Sequence, residues 1–153
     1  MLLFFDTSAL VKRYVKEAGT TWTNSLFDPQ SSHVFYLARI AAVEFTAAIC
    51  RRSRGGTLPA ANAAKALRQF RAELPHRYLL IEITQPLLQD AERLAEKHAL
   101  RAYDAVQLAA LSMVDQYRKQ YSLPPLMLIS ADAELLQAAT AEGFATDDPN
   151  QHP

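Results

Sequence analysis

Short apolar runs alternate with longer stretches of helical spacing along this chain, and the alternation sets the fold class. Residues 2–5, LLFF, put four bulky positions in succession, the pattern of a strand covered on both faces. Residues 8–15 and 20–27 then space their apolar positions as helices do, and Asp28-Pro29 breaks the second of them. The runs at 34–37, 78–83 and 126–129 read as further buried strands. From residue 41, AAVEFTAAICRR predicts a strong helix that stops at Gly55-Gly56. A second helix over 60–74 stops at Pro75, so a helical hairpin is expected. Helices are also predicted over 86–98, over 103–121 ahead of Pro124-Pro125, and over 132–142 ahead of Gly143. Strands alternating with helices predict an α/β fold in which a parallel sheet of four to five strands is covered on both sides.

Composition narrows this picture. A chain of 153 residues, half of them hydrophobic, is long enough for one domain with a full core. No internal repeat or low-complexity segment divides it, so one domain is expected over 1–146, with 147–153 a flexible tail. The 16 basic and 16 acidic residues cancel, and a polyanionic partner would have to meet a local basic patch. The single cysteine, Cys50, excludes an internal disulfide framework, and His33, His76, His98 and His152 lack zinc-site spacing. A reducing cytoplasm is the compartment these features suit. The five-residue apolar N-terminal run has no cationic segment before it, so neither a signal peptide nor a membrane span is expected.

Four acids then stand out. Asp6 ends the first strand, in LLFFD, and Asp132 follows the last strand, in LMLISAD. The carboxyl ends of parallel strands face the crevice where ligands bind. Glu44 is the one charge in IAAVEFTAAIC and Asp104 the one charge in AYDAVQLAAL. A lone charge among apolar residues is expensive unless something compensates it. Each acid also has an ordinary role open to it. Asp6 can cap the helix at 8–15, Asp104 with Gln107 has the form of a capping box, and Asp132 can complement a helix dipole. Glu44 can be a partly exposed helix residue. Taken together, four carboxylates able to face one crevice suit a hard divalent cation such as magnesium, and with it metal-assisted hydrolysis of a phosphodiester. Thr7, Ser8 and Ser130 stand beside the strand-end acids, able to orient a carboxylate or to cap a helix.

The segments DTSALVKRYVKE, AAVEFTAAI, LRAYDAVQLAAL and ISADAELLQAATAEGF resemble, in order and spacing, the four signature segments of PIN-domain endoribonucleases, specifically the VapC-type toxins of bacterial toxin-antitoxin pairs. The resemblance covers nearly the whole chain. It implies a PIN-like α/β/α sandwich, cleavage of RNA with magnesium or manganese, and a 5′-phosphate on the product. It further implies that Asp6, Glu44, Asp104 and Asp132 form the acidic quartet. Asp6, Asp104 and Asp132 would hold the metal, and Glu44 would position or deprotonate the attacking water. Where the family sometimes adds a further acid, this chain offers Asp147 and Asp148. Candidate phosphate contacts are Lys12, Arg13, Arg51, Arg52, Arg54 and Arg101. A cognate antitoxin and a homodimer are the implied protein partners. Trp22, Phe27, Leu67 and Phe70 exceed what one small core requires, so part of that surface is expected to receive one of them. The alternative is a PIN-type module that binds RNA or protein without cutting. A haloacid-dehalogenase phosphatase would need a second Asp where Ser8 stands, and no glycine-rich phosphate loop is present.

Overall fold

The computed structural model describes Met1–His152; Pro153, the end of the segment expected as a tail, lies outside the described residues. The elements follow as β1 (Leu2–Phe5), α1 (Thr7–Tyr14), α2 (Thr20–Ser25), β2 (Val34–Ala38), α3 (Ala41–Arg54) and α4 (Ala60–Arg77). After them come β3 (Tyr78–Ile81), α5 (Gln85–His98), α6 (Ala102–Gln120), β4 (Leu126–Ile129), α7 (Ala133–Ala141) and β5 (Ala145–Asp147). All strand pairs are parallel and the order is β3-β2-β1-β4-β5.

β1 is the middle strand, which is why its four residues are all buried and all apolar. Alternate side chains leave a strand on opposite faces. Leu2 and Phe4 accordingly join a core built with Leu87, Leu94, Leu108 and Leu135 from α5, α6 and α7. Leu3 and Phe5 join the other core, with Leu10, Phe45, Ile49 and Phe70 from α1, α3 and α4. The molecule is thus a three-layer α/β/α sandwich with a core on each side of the sheet. From β1 the chain builds β2 and β3 to one side, then crosses to build β4 and β5 on the other. The β1/β4 boundary is therefore the topological switch point, where the loops diverge and open a crevice at the carboxyl ends.

Several expectations change. α4 runs through Pro75 to Arg77 instead of ending at residue 74. The hydrogen bond lost to proline is the one to Arg71, an exposed residue in the last turns, where water can replace the missing donor. Phe27 and Phe70 are core residues and so offer a partner no surface, while Trp22 and Leu67 are partly buried against the same core. Trp22 is also stacked on His152, ring centroids 4.1 Å apart. Residues 145–147 add an edge strand to β4, and Pro149–Gln151 forms a 3₁₀ turn with Pro149 buried. Asn150 accepts a 2.8 Å hydrogen bond from Lys12, so the segment beyond residue 147 has partners in the body of the fold.

Candidate active site

Asp6 stands at the carboxyl tip of β1 and is 5% exposed. Its Oδ2 accepts from the Ser8 amide at 3.1 Å, from Ser8 Oγ at 2.5 Å and from Ser130 Oγ at 3.1 Å. The loop after β4 aims those hydroxyls. The Ala131 amide donates to Ser8 Oγ at 2.8 Å and the Asp132 amide to Ser130 Oγ at 3.0 Å, which leaves each hydroxyl proton for Asp6. The tips of β1 and β4 are laced together this way. Asp6 does cap α1, as one expectation held, but as a carboxylate crowded on one oxygen. Burial pushes its carboxyl up, and the serine donors pull it back.

Glu44 reaches the crevice from the first turn of α3. Its Oε2 accepts from Thr7 Oγ1 and from Gln107 Nε2, each at 2.8 Å. Its carboxyl too is raised by burial, lowered by these two donors, and raised again by the charge of Asp6. Asp132 caps α7, its Oδ1 accepting from the Leu135 amide at 3.0 Å. Asp104, in the first turn of α6, caps nothing: the residue at the cap is Arg101, and Gln107 turns to Glu44 instead of back to the helix start. The capping-box reading of Asp104 and Gln107 is therefore corrected. Burial, then the charges of Asp132, Asp6 and Glu44, push the Asp104 carboxyl up to about 6, with Arg101 a weaker counterweight. Asp132, Asp6 and Glu44 are thus each near enough to Asp104 for their charges to act on it.

None of the four takes part in an ion pair among the described residues. Nor do any three close into a preformed chelate there. Carboxylates without a basic partner leave their charge to be met by water or a cation, and a strongly hydrated cation takes only one or two carboxylates directly. An oxygen-only donor set without sulfur or imidazole points the same way.

The basic candidates divide sharply. Lys12 is buried and held by Glu17, the Ala18 carbonyl and Asn150. Arg13 is held by Glu73 and lies over the Phe27 ring at 3.8 Å. Arg52 is paired with Glu17 at 2.7 Å. These three serve the fold, because α1 and α3 turn them away from the crevice toward neighbouring helices. Arg51, Arg54 and Arg101 remain exposed. Asp147 bonds His152 and Asp148 caps the last turn.

Gln107 is the site residue that reading by residue type missed. It is 1% exposed, and its Oε1 has no partner while its amide nitrogen serves Glu44. A buried acceptor left unpaired costs about 1–3 kcal/mol. Turning the amide over would set two acceptors against each other, so the orientation is dictated by the carboxylate. The only trace in the sequence is a lone polar residue on an apolar helix face.

Ribonuclease VapC45 of Mycobacterium tuberculosis strain CDC 1551 / Oshkosh is 32% identical to this chain over 146 residues, covering 93% of this chain and 92% of its own. Ribonuclease VapC49 of strain ATCC 25618 / H37Rv matches to the same extent, 32% over 146 residues. The chain belongs to the VapC ribonuclease family. No family model matches it. Among solved structures, PAE2754 from Pyrobaculum aerophilum superposes with a TM-score of 0.64 over 99% of this chain and 92% of that one, at 17% identity. VapC20 from Mycobacterium tuberculosis, a sarcin-ricin loop cleaving toxin, gives a TM-score of 0.62 over 94% of this chain and 96% of that one, also at 17% identity. A toxin-antitoxin complex from Klebsiella pneumoniae gives 0.60, covering 96% and 97% at 17% identity. These structural likenesses bear on the fold, the PIN-like sandwich that VapC proteins share.

Proposed function

We propose that this VapC-family chain is a magnesium-dependent endoribonuclease and the toxin of a toxin-antitoxin pair. One observation carries the reading: the charges of Asp132, Asp6 and Glu44 all act on Asp104, and none of these four acids takes part in an ion pair among the described residues. Asp6, Asp104 and Asp132 would hold the magnesium ion, with manganese an alternative. When bound, the ion supplies Lewis-acid stabilisation of phosphoryl charge and a more acidic water. Glu44 is the base. Thr7 and Gln107 fix its Oε2, so the carboxylate is oriented and its Oε1 is left to receive a proton from the attacking water. Ser8 and Ser130 hold the Asp6 carboxylate in one rotamer, so that it need not reorganise during the reaction.

The ribonuclease names of the two relatives support RNA as substrate. The toxin-antitoxin complex from Klebsiella pneumoniae and the VapBC2 assembly of Rickettsia felis support an antitoxin partner. A homodimer belongs to the same reading. The test is incubation of the purified protein with a mixed RNA pool, with magnesium and with EDTA, beside Asp104→Asn. Cleavage is expected only in the wild type with magnesium, leaving 5′-phosphate ends. Binding of RNA without any cutting would replace the enzyme by a binding module.

A further inference from the structure

A groove of about 290 Å³ opens beside Glu44, walled by Ile40, Val43, Ala47, Tyr103 and Arg51. Val43 is 65% exposed and Tyr103 is 58% exposed, each next in sequence to an acid of the quartet. Both side chains are bulky and apolar at a place where exposure has a cost, and both face the same groove. Glu44, Ala47, Ala48 and Arg51 line it at steps of three and four residues, so one stripe of α3 runs from the catalytic carboxylate to a guanidinium. Seven residues of helix separate Glu44 from Arg51 by about 10 Å along the axis. Arg51 makes no ion pair among the described residues, unlike its neighbour Arg52.

We infer that this groove is a nucleotide subsite: it takes one unpaired base of the RNA against Tyr103, with the next phosphate on Arg51. The inference rests on the nuclease reading and names how that site grips its substrate. The chemistry is ordered along the groove. The acidic end repels phosphate unless a cation is present, the middle is apolar with an aromatic face, and the far end is cationic. A single-stranded nucleotide offers the matching sequence of groups, a phosphate at the scissile position, a flat base, and a further phosphate. The volume lies at the lower end of the range for small-molecule sites, room for one base. An apolar peptide side chain would fill the middle but leave Arg51 without a counter-charge, so RNA is the better occupant.

The experiment uses the full chain carrying Asp104→Asn, so that RNA survives, and a labelled single-stranded oligonucleotide cut by the wild type. Binding is read by fluorescence anisotropy with magnesium, comparing that parent with added Tyr103→Ala, Tyr103→Phe and Arg51→Ala. Tyr103→Ala is expected to weaken binding about tenfold, and Tyr103→Phe to restore it. An abasic residue at one position of the oligonucleotide should remove the difference between Tyr103 and Ala. Arg51→Ala should reduce the slope of log affinity against log salt by about 0.7, one phosphate contact on a single strand. Equal affinities of the Tyr103→Ala chain and its parent for the intact oligonucleotide, or a difference that persists with every abasic oligonucleotide, would overturn the subsite. So would loss of antitoxin co-purification in Tyr103→Ala with unchanged RNA binding, which would make the groove a protein-docking site. Wild type that neither binds nor cuts RNA fails at the earlier step and takes the nuclease reading with it.

Discussion

Asp104 is partly buried and has no hydrogen-bond donor to set against that burial or against three neighbouring carboxylates, so its ionisation registers both. Its folded value, about 6, lies above the ordinary 3.8. The folded protein therefore takes up this proton before the unfolded chain does as pH falls, and stability rises with acidification through that window. The penalty of the ionised carboxylate is fully present above about 6 and is relieved between about 6 and 3.8. Melting temperatures of the metal-free protein should thus climb as pH is lowered from 7 toward 5, and Asp104→Asn should flatten the climb. A second prediction concerns Gln107. Gln107→Leu removes a donor from Glu44 and also removes the unpaired Oε1, so stability should stay within about 1 kcal/mol of wild type in denaturant titrations. Losing a donor to the ionised form raises the Glu44 carboxyl further. The acid limb of the cleavage rate should accordingly move to higher pH in Gln107→Leu; an unmoved profile would leave Gln107 a packing residue.

Among the elements, the C-terminal turn hangs on one glycine. Gly19 has φ +80°, and a Cβ there would lie 2.2 Å from the Pro149 carbonyl oxygen. Gly19→Ala combines left-handed backbone strain with a clash against backbone and should cost about 2–4 kcal/mol in chemical denaturation. Gly56, at φ +75° with nothing within 4 Å, provides the comparison, and Gly56→Ala should cost only about 1 kcal/mol. Equal losses would mean that the contact with Pro149 contributes nothing. The sheet and its helices were legible in the sequence where burial was two-sided, as in LLFF and LMLI, because only an apolar run can fill a strand covered on both faces. β5 was not. Ala145–Asp147 carries no apolar run and exists through pairing with β4, a long-range contact that leaves no local pattern. The acids were legible because each is an isolated charge at a strand end or in an apolar helix. The partners of the basic residues were not, since Lys12 and Arg13 look alike whether they meet phosphate or the fold's own Glu17 and Glu73.

At the scale of the whole molecule, the sandwich holds Asp104 where burial and the charges of Asp132, Asp6 and Glu44 oppose its ionisation, and burial of Asp6 adds to the strain. Such a site should be a stability sink without a cation and a stability source with one. Asp6→Asn is the sharpest probe, because Asn matches Asp as a helix cap while removing the charge. Magnesium at a hundred times its dissociation constant should stabilise the wild type by about 2.7 kcal/mol. The measurement is a set of melting curves for the wild type and Asp6→Asn, each in EDTA and in magnesium. The predicted result is a variant that melts above the wild type in EDTA and gains much less from magnesium. Parallel shifts in the two proteins would contradict it, leaving Asp6 a helix cap and the crevice without a metal site.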